Sequence, residues 1–353
     1  MRCLASEQAM ESTLLKALDL GINHLETAQG YGDSELYLGR ALTKLAIDRS
    51  SIYITTKIPP TAEADAIDRW IDQSLTRLQV SYLDCLAIHG LNTWHHLKQV
   101  EQGGMEAMRS ALADGRVRHL GFSTHGPLDL IQAAIATDWF EFVNLHYYYF
   151  WQHNEPALTL AQNQDLGVFI ISPLDKGGQL YKPSQTLKDL CQPYSPSVLA
   201  YRFLLSDARI TTLSIGPANS EELQPLASLA DQDGPLTKAE ADCFARLQAH
   251  QRDRLGTTQC HQCYACLPCP EDIHIPEVLR LRNLALGYDM VDYGKYRYRM
   301  FENAGHWFPG NRADRCTACG DCLPRCPEGL DIPKLLQETH DRLQGPSTRR
   351  LWQ

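Results

Sequence analysis

The sequence predicts an α/β protein in two parts: a (β/α)8 barrel of the TIM type, whose first strand is missing or very short, and a mainly α-helical domain after it. Residues 6 to about 232 alternate short apolar strands with amphipathic helices, and one helix precedes seven such strand–helix pairs. Strict alternation of this kind is typical of a parallel sheet closed into a barrel. Near the C-terminus, two cysteine runs repeat one design.

The expected elements follow one another along the chain. A helix over Ser6–Leu20 comes first. A later helix, Ala64–Leu78, shows the packing logic, because Ile67, Ile71 and Leu78 share one face that must cover the sheet. The expected strands are Ile22–Ala28, Ile52–Ile58, Leu83–His89, Val117–Ser123, Phe142–Tyr147, Gly167–Leu174 and Thr211–Gly216.

The first strand of an eight-stranded barrel has little sequence available to it. Only Met1–Ala5 precede the leading helix, so either these residues form that strand or the natural reading frame begins upstream. A doubly wound open sheet is the structural alternative. That fold favours a G-x-G-x-x-G phosphate loop after an early strand, and the sequence has none there.

Composition narrows the class of protein. With 353 residues, 44% of them hydrophobic and 21% charged, the chain suits a soluble globular protein with one large and one small domain. Its formal charge of −9 disfavours nucleic acid and anionic membranes as partners. No targeting segment or membrane span is visible, so we expect a cytoplasmic protein.

Eight of the twelve cysteines form two runs that each end in Cys-Pro. The second run, C-x2-C-x2-C-x3-C-P, has the spacing with which three thiolates bind one cluster and the fourth binds another. The first run is one residue shorter before its fourth cysteine. We therefore expect two [4Fe–4S] clusters with exchanged fourth ligands. One set is Cys260, Cys263, Cys266 and Cys326, and the other is Cys316, Cys319, Cys322 and Cys269.

Zinc and disulfides are weaker interpretations of these cysteines. Four cysteines in each run are twice what a zinc ribbon needs, and a long chain without a signal peptide does not need disulfide staples.

A change of composition after Asp231 marks the expected end of the barrel. The predicted domains are a barrel over 1–235, a linker helix over 236–258 and a cluster domain over 259–353. Each cysteine run is followed by Ile-Pro, which suits the first turn of a helix. This repeat of cluster loop and helix resembles the helical type of bacterial dicluster ferredoxin.

Strand-end residues carry the candidate chemistry, because the working residues of parallel barrels lie at the C-terminal ends of strands. Glu26 and Tyr31 belong to the first such end, Lys57 to the second and His89 to the third. A lysine ammonium lowers the pKa of a neighbouring phenol, a carboxylate keeps that lysine charged, and a histidine helps to orient a substrate oxygen. Together they predict a proton-donor site for a small carbonyl or alcohol substrate.

At these residues the chain resembles the aldo/keto reductase superfamily. Ile22–Glu35 is similar to the family's Asp-Thr-Ala…Tyr-Gly…Ser-Glu signature, and Ile54–Lys57 and Leu83–His89 are similar to its lysine and histidine strands. Combined with the cysteine runs, the resemblance points to the subgroup with a C-terminal 4Fe–4S dicluster domain. It implies a catalytic tetrad of Glu26, Tyr31, Lys57 and His89, in which Glu26 replaces the family's aspartate.

The resemblance also implies a nicotinamide cofactor, NAD(P)H. Ser123 and Asn144 match residues that hold the carboxamide, whereas Thr124 and Ile171 replace the usual asparagine and stacking aromatic ring.

The loop expected to hold phosphate is also altered. Gly216 and Asn219 remain as candidates there, but glutamates at 221 and 222 stand where cations would bind. Those glutamates place a preference for NADP in doubt. An ordinary capped helix with an acidic first turn explains the loop equally well.

Two further features near strand ends have simpler interpretations. The aromatic run Tyr147–Trp151 suits a substrate wall, a seat for the cluster domain or ordinary core packing, which is the commonest use of such residues. For Lys176 we favour a solvated loop lysine over a phosphate or substrate role.

Three functions remain open. The first is an oxidoreductase that uses electrons from NAD(P)H, the clusters or both. The second is a ferredoxin-like electron-transfer protein whose barrel is a docking scaffold for a partner protein. In the third, the clusters only stabilise the fold and carry no electrons.

Overall fold

The structure is a computed structural model, and it describes residues 6–229 and 231–346. The possible first strand at Met1–Ala5 lies outside the described residues. Contacts divide the chain into two compact units: the first contains the residues up to Gly178 and Ala200–Pro235, and the second contains Gln179–Leu199 and the residues from Leu236 onward. In the described residues, no helix is both long and apolar enough to cross a bilayer.

The first unit is built on one sheet of seven parallel strands, each paired with the next along the chain. This order is that of a nearly closed barrel, as the sequence predicted. The strands are β1 (His24–Glu26), β2 (Tyr53–Ile58), β3 (Leu83–His89), β4 (Val117–Ser123), β5 (Phe142–His146), β6 (Gly167–Ile171) and β7 (Thr212–Ser214).

Helices alternate with the strands along the chain. They are α1 (Glu7–Asp19), α2 (Ser34–Lys44), α3 (Ala64–Leu78), α4 (Trp94–Gln99), α5 (Met105–Ala113), α6 (Leu128–Ile135), α7 (Glu155–Asn163), α8 (Gln185–Cys191) and α9 (Pro196–Leu205). After β7 the expected α-helix is instead a 3-10 helix, Ser220–Ser228, with Pro225 inside it. Proline has no N–H to donate, which disfavours a continuous α-helix at this place.

β1 is shorter than expected, but its pairing with β2 continues beyond Glu26. The N–H of Thr27 donates to the carbonyl of Thr55 at 2.8 Å, and that of Gln29 donates to the carbonyl of Lys57 at 3.1 Å. The chain from Glu26 towards Tyr31 is therefore held beside the end of β2.

Aromatic side chains fill the barrel interior below its mouth. The rings of Phe142 and Phe169 stack with centroids 4.7 Å apart, and Cys85 and Ala87 complete this buried cluster. A Cβ atom on Gly121 would lie 2.5 Å from the Phe142 ring, so this strand position requires glycine. The polar residues at the strand ends therefore lie above an apolar floor.

The second unit is helical. Besides α8 it contains α10 (Lys238–Leu255), α11 (Ile275–Gly287), α12 (Val291–Tyr298) and α13 (Ile332–Leu343). A capping box between Thr237 and Glu240 begins α10. Proline lies in the first turn of both α11 and α13, where the Ile-Pro pairs predicted it. The sequence placed the segment of α8, Gln179–Leu199, in the barrel, whereas the contacts group it with this unit.

Candidate active site and cluster site

The four residues of the predicted tetrad meet at the mouth of the barrel. Lys57 is 1% exposed, and its Nζ donates to Glu26 Oε1 at 2.5 Å and to the carbonyl of Thr27 at 3.0 Å. The same Nζ lies 5.3 Å from the centre of the Tyr31 ring. The His89 ring meets the Tyr31 ring edge-on, with centroids 5.3 Å apart. Phenol, ammonium, imidazole and carboxylate thus form one contact group.

The longer side chain of Glu26 collects donors from three other strands. While Oε1 accepts from Lys57 on β2, Oε2 accepts from Asn144 Nδ2 on β5 at 3.0 Å and from the Ser214 hydroxyl on β7. Sequence reasoning missed Ser214. Since Ser214 ends β7, the strand-end rule that selected Lys57 and His89 would also have found it.

Charge pairing keeps Lys57 and Glu26 ionised although Lys57 is buried and the Glu26 side chain is only 11% exposed. Burial alone would raise the pKa of Glu26, but the Lys57 charge and hydrogen bonds from Lys57 and Ser214 leave that pKa below its usual value. Burial alone would lower the pKa of Lys57, but Glu26 and Tyr31 leave it raised. The ammonium is thus retained at neutral pH.

The pKa of Tyr31 differs from the sequence-based expectation. Burial raises this pKa, the Lys57 charge lowers it and the Glu26 charge raises it. The net shift of the Tyr31 pKa is upward. Lys57 acts in the expected direction but does not outweigh burial. A raised pKa keeps the phenol protonated, as a proton donor must be.

Substituting Glu26 by glutamine is expected to destabilise the barrel by about 3–5 kcal/mol, since it leaves a buried lysine charge without its partner. Urea unfolding measures this loss. The Glu26 pKa is lowered from 4.5 and the Lys57 pKa is raised from 10.5, so the stabilisation should be full between these values. It should fade at lower pH, through the folded-state pKa of Glu26, and at higher pH, through that of Lys57.

Glu63→Gln is the matched control, because Glu63 is exposed and its side chain does not cap the helix it precedes. We expect it to change the free energy of unfolding by less than about 0.5 kcal/mol. A loss under about 1 kcal/mol for Glu26→Gln would contradict the pairing.

The two candidate carboxamide residues differ in availability. Asn144 is fully buried, and its Oδ1 has no hydrogen-bond partner in the described structure. A carboxamide N–H is the kind of donor that such an oxygen lacks. The Ser123 hydroxyl, by contrast, accepts from the Gly90 N–H at 3.0 Å and braces the loop after β3.

Side chains of the loop after β7 accept hydrogen bonds from the loop's own backbone N–H groups. Asn219 accepts from the Glu222 N–H at 3.1 Å, and Glu222 Oε2 accepts from the Ala218 N–H at 2.9 Å. This is the capped turn with acidic residues that the sequence allowed as the alternative to a phosphate site. Cofactor roles for Asn219 and the preceding Gly216 remain predictions.

A second group of ionisable residues, missed as a group by sequence reasoning, lies at the ends of β4, β5 and β6. Lys176 is 8% exposed, and its Nζ lies 2.5 Å from Nε2 of His125, so the prediction of a solvated lysine is wrong. Next to it, Asp175 accepts from the Tyr148 hydroxyl at 2.9 Å, and its Oδ1 lies 3.7 Å from His146 Nε2. The strand-end rule would have found this group as well.

The second unit brings the two cysteine runs close together. Cys260 lies close enough to Cys326 for their charges to interact. Burial raises the pKa of Cys266 to about 12, so metal binding there must displace a proton. In the other group, one cavity is lined by Cys269, Cys316, Cys319 and Cys322. The shortened first run therefore still delivers its fourth cysteine to the second run.

A cubane is a four-iron body with one iron for each thiolate, so these ligands need not converge on one point. In the described ranges, no three His, Cys, Asp or Glu side chains are placed to bind a single metal ion.

Comparison with known proteins assigns the two parts of the chain. The sequence model of the aldo/keto reductase family matches residues 5–249, and that of the 4Fe-4S dicluster domain matches residues 259–331. Fold and matches together define the class of protein, which is an oxidoreductase with a parallel barrel and an iron–sulfur domain. The chain belongs to the aldo/keto reductase family.

Among its relatives, L-galactose dehydrogenase of Arabidopsis thaliana is 25% identical over 275 residues, which are 67% of this chain and 84% of that protein. An aldo-keto reductase of Mycobacterium sp. (strain KMS) is 34% identical over 119 residues. That match spans 33% of this chain and only 41% of the mycobacterial protein.

Solved structures share the barrel fold. Aldo-keto reductase AKR11C1 from Bacillus halodurans has a TM-score of 0.59 at 21% identity, over 68% of this chain and 87% of that one. An aldo/keto reductase from Klebsiella pneumoniae, in complex with NADP and acetate, has a TM-score of 0.57 at 23% identity, over 68% and 85% of the two chains.

Proposed function

We propose that the protein reduces a small-molecule carbonyl compound, or oxidises the matching alcohol, with Tyr31 as the proton donor. The contact group of Tyr31, Lys57, Glu26 and His89 carries this proposal. In reduction, the Tyr31 hydroxyl gives its proton to the carbonyl oxygen, and the Lys57 ammonium stabilises the phenolate until water reprotonates it. In oxidation, the phenolate takes the proton from the alcohol.

A nicotinamide, when bound, would supply or accept the hydride of this reaction. Asn144 would hold its carboxamide, since the buried Oδ1 lacks a donor while Nδ2 is anchored to Glu26. Ser123 would add little, because its hydroxyl already serves the Gly90 N–H. The NADP complex of the Klebsiella protein supports a nucleotide of this class for the same fold.

The cluster domain would hold two [4Fe–4S] clusters on the two exchanged sets of cysteines described above. A hydride carries two electrons and each cluster takes one, so electron exchange between a nicotinamide and the clusters would need a flavin-type group that divides the pair. The sequence shows no flavin fingerprint. A cluster domain of this kind would let the enzyme exchange electrons with a partner protein. A reducing compartment such as the cytoplasm suits these thiolate ligands.

One observation favours the alternative function, in which the protein is itself a ferredoxin-like electron-transfer protein and its barrel is only a docking scaffold. The side chains of Asn219 and Glu222 accept hydrogen bonds from backbone N–H groups of the loop after β7. Those N–H groups would otherwise be available to a phosphate.

Anaerobic addition of NADH or NADPH to the cluster-loaded protein tests the proposal. We expect the nucleotide to bind and, when a flavin is supplied to divide the hydride into single electrons, the visible absorbance of the clusters to bleach. Binding without bleaching would show that the clusters do not receive the electrons of the hydride. If neither nucleotide binds, the scaffold function is favoured and the proposed reductase function fails.

The two nucleotides are expected to bind with affinities that differ by less than about tenfold. A charge-assisted hydrogen bond to the 2′-phosphate contributes about 1.5–3 kcal/mol, and the loop after β7 offers carboxylates at 221 and 222 in its place. Calorimetry with each nucleotide measures the ratio. A preference for NADPH well above tenfold would show that cations elsewhere complete the site.

A further inference from the structure

The two halves of the cluster domain repeat a fold but not its charges. Aligning the Ile-Pro pairs that begin α11 and α13 places Arg282 opposite Thr339 and Asn283 opposite His340. Arg282 and Asn283 contact the chain that enters the first run, and His340 is linked through Tyr298 to the chain that enters the second. A difference in charge between these positions of α11 and α13 is therefore a difference in charge near the two cysteine runs.

In the first half, side chains of α11 form hydrogen bonds with the chain just before and at Cys260. Arg282 is 5% exposed, and its guanidinium donates to the carbonyl and to the hydroxyl of Thr258, both at 3.1 Å. Asn283 Nδ2 donates to the carbonyl of Cys260 at 2.8 Å. The Nε of Arg282 is buried and has no partner in the described structure. A buried cation therefore lies beside the first cysteine of this run.

In the second half, the corresponding positions of α13 carry a hydroxyl and an imidazole in place of the guanidinium and the amide. The Thr339 hydroxyl donates to the carbonyl of Leu335 within its own helix at 2.6 Å. The Tyr298 hydroxyl links His340, 2.9 Å away, to the Ala313 N–H, 2.8 Å away, in the turn before Cys316. Any charge on His340 faces Asp314 at 3.7 Å.

Other charges near the two runs are paired, exposed or shared. Arg315, directly before Cys316, is 60% exposed and its Nε lies 2.9 Å from Glu302, and Arg312 Nε lies 3.7 Å from the same carboxylate. The nearest carboxylate to Arg282 in an ion pair is Glu338 at 3.6 Å, but its side chain is 47% exposed and therefore screened. The buried Glu277 is already paired with Arg280 at 2.5 Å. Arg325 lines the cavity of the second set but directly precedes Cys326 of the first, so it acts on both.

We propose that Arg282 is a positioning residue that gives the cluster of Cys260, Cys263, Cys266 and Cys326 the higher reduction potential of the two. Reduction adds negative charge to a cluster, and a buried cation stabilises the reduced form. The first electron to enter the domain then settles on this cluster. The proposal rests on the two clusters of the proposed function.

Redox titration of the loaded full-length chain, followed by electron paramagnetic resonance, tests this assignment. In Arg282→Gln, the reduction step at the higher potential should become less favourable by about tenfold, which for one electron equals 59 mV. The lower step should move much less. Arg282→Lys keeps the charge but not the fork of donors, so it should restore most of the potential.

Arg252→Gln is the matched control, because Arg252 is exposed on α10 and its loss changes the net charge equally. It should leave both steps in place. Unchanged steps in Arg282→Gln, equal shifts of both, or no recovery in Arg282→Lys would overturn the assignment. Iron analysis separates the failures: a chain that binds about four irons rather than about eight refutes the two-cluster proposal itself.

Discussion

Tyr31→Phe is expected to lower kcat for carbonyl reduction by about a hundredfold to ten-thousandfold, the usual contribution of a positioned proton donor. The variant removes one hydroxyl and retains the ring that packs against His89 and lies beside the Lys57 ammonium. Nucleotide affinity and the free energy of unfolding should therefore change little. Steady-state kinetics with a set of small aldehydes and ketones, together with calorimetry of the nucleotide, measures both parts of this prediction.

The pKa of Tyr31 adds a second test of its role. Because that pKa is raised from 10.0, the rate of reduction limited by proton donation should remain high up to pH 10.0 and fall only above it. Tyr53→Phe is the control, since Tyr53 begins β2 with 56% of its surface exposed. A Tyr31→Phe variant with undiminished turnover would show that the barrel does not use this phenol.

The contact group of Glu26, Tyr31, Lys57 and His89 could be predicted from the sequence because each of these residues follows a rule with a local signal. β3 and β4 have the bounds that their apolar runs predicted, and so has the helix Ala64–Leu78. Once strand ends are known, a parallel barrel brings them to one mouth, so Lys57 and His89 had to lie close together.

The remaining features depend on contacts that no local pattern records. The burial of Lys176 depends on His125, which is 51 positions away in the chain. The hydroxyl of Ser214 reaches Glu26 across 188 positions, at the place where the barrel nearly closes. Likewise, the net direction of the Tyr31 pKa depends on how far burial outweighs a nearby ammonium, and that balance is a tertiary property.

The replacement of aspartate by Glu26 changes more than the contact with Lys57. With one more methylene, the carboxylate also binds Asn144 and Ser214 and so joins four strands at one point. Asn144 is thereby oriented with its amide nitrogen towards Glu26 and its oxygen unused. The same substitution thus both stiffens the mouth and leaves one acceptor for a cofactor amide.

Removal of two ligands of one cluster, by Cys316→Ala together with Cys319→Ala, is expected to lower bound iron from about eight to about four per chain. Only the cluster whose cavity these residues line should be lost, because the other set keeps all four thiolates. Anaerobic iron and sulfide analysis measures the content. Cys191→Ala is the control: this cysteine is buried in the same unit, lies outside both sets and should leave the iron unchanged.

Adding a third substitution to that double variant tests the exchange of fourth ligands. Cys269→Ala should cause no further loss of iron, since Cys269 lines the cavity that is already disabled. Cys326→Ala should lower the iron below about four, since Cys326 lies with Cys260 in the surviving set. Circular dichroism confirms that the helices persist in each triple variant. If Cys269→Ala lowers the iron and Cys326→Ala does not, each run closes on its own cluster and the exchanged arrangement is wrong.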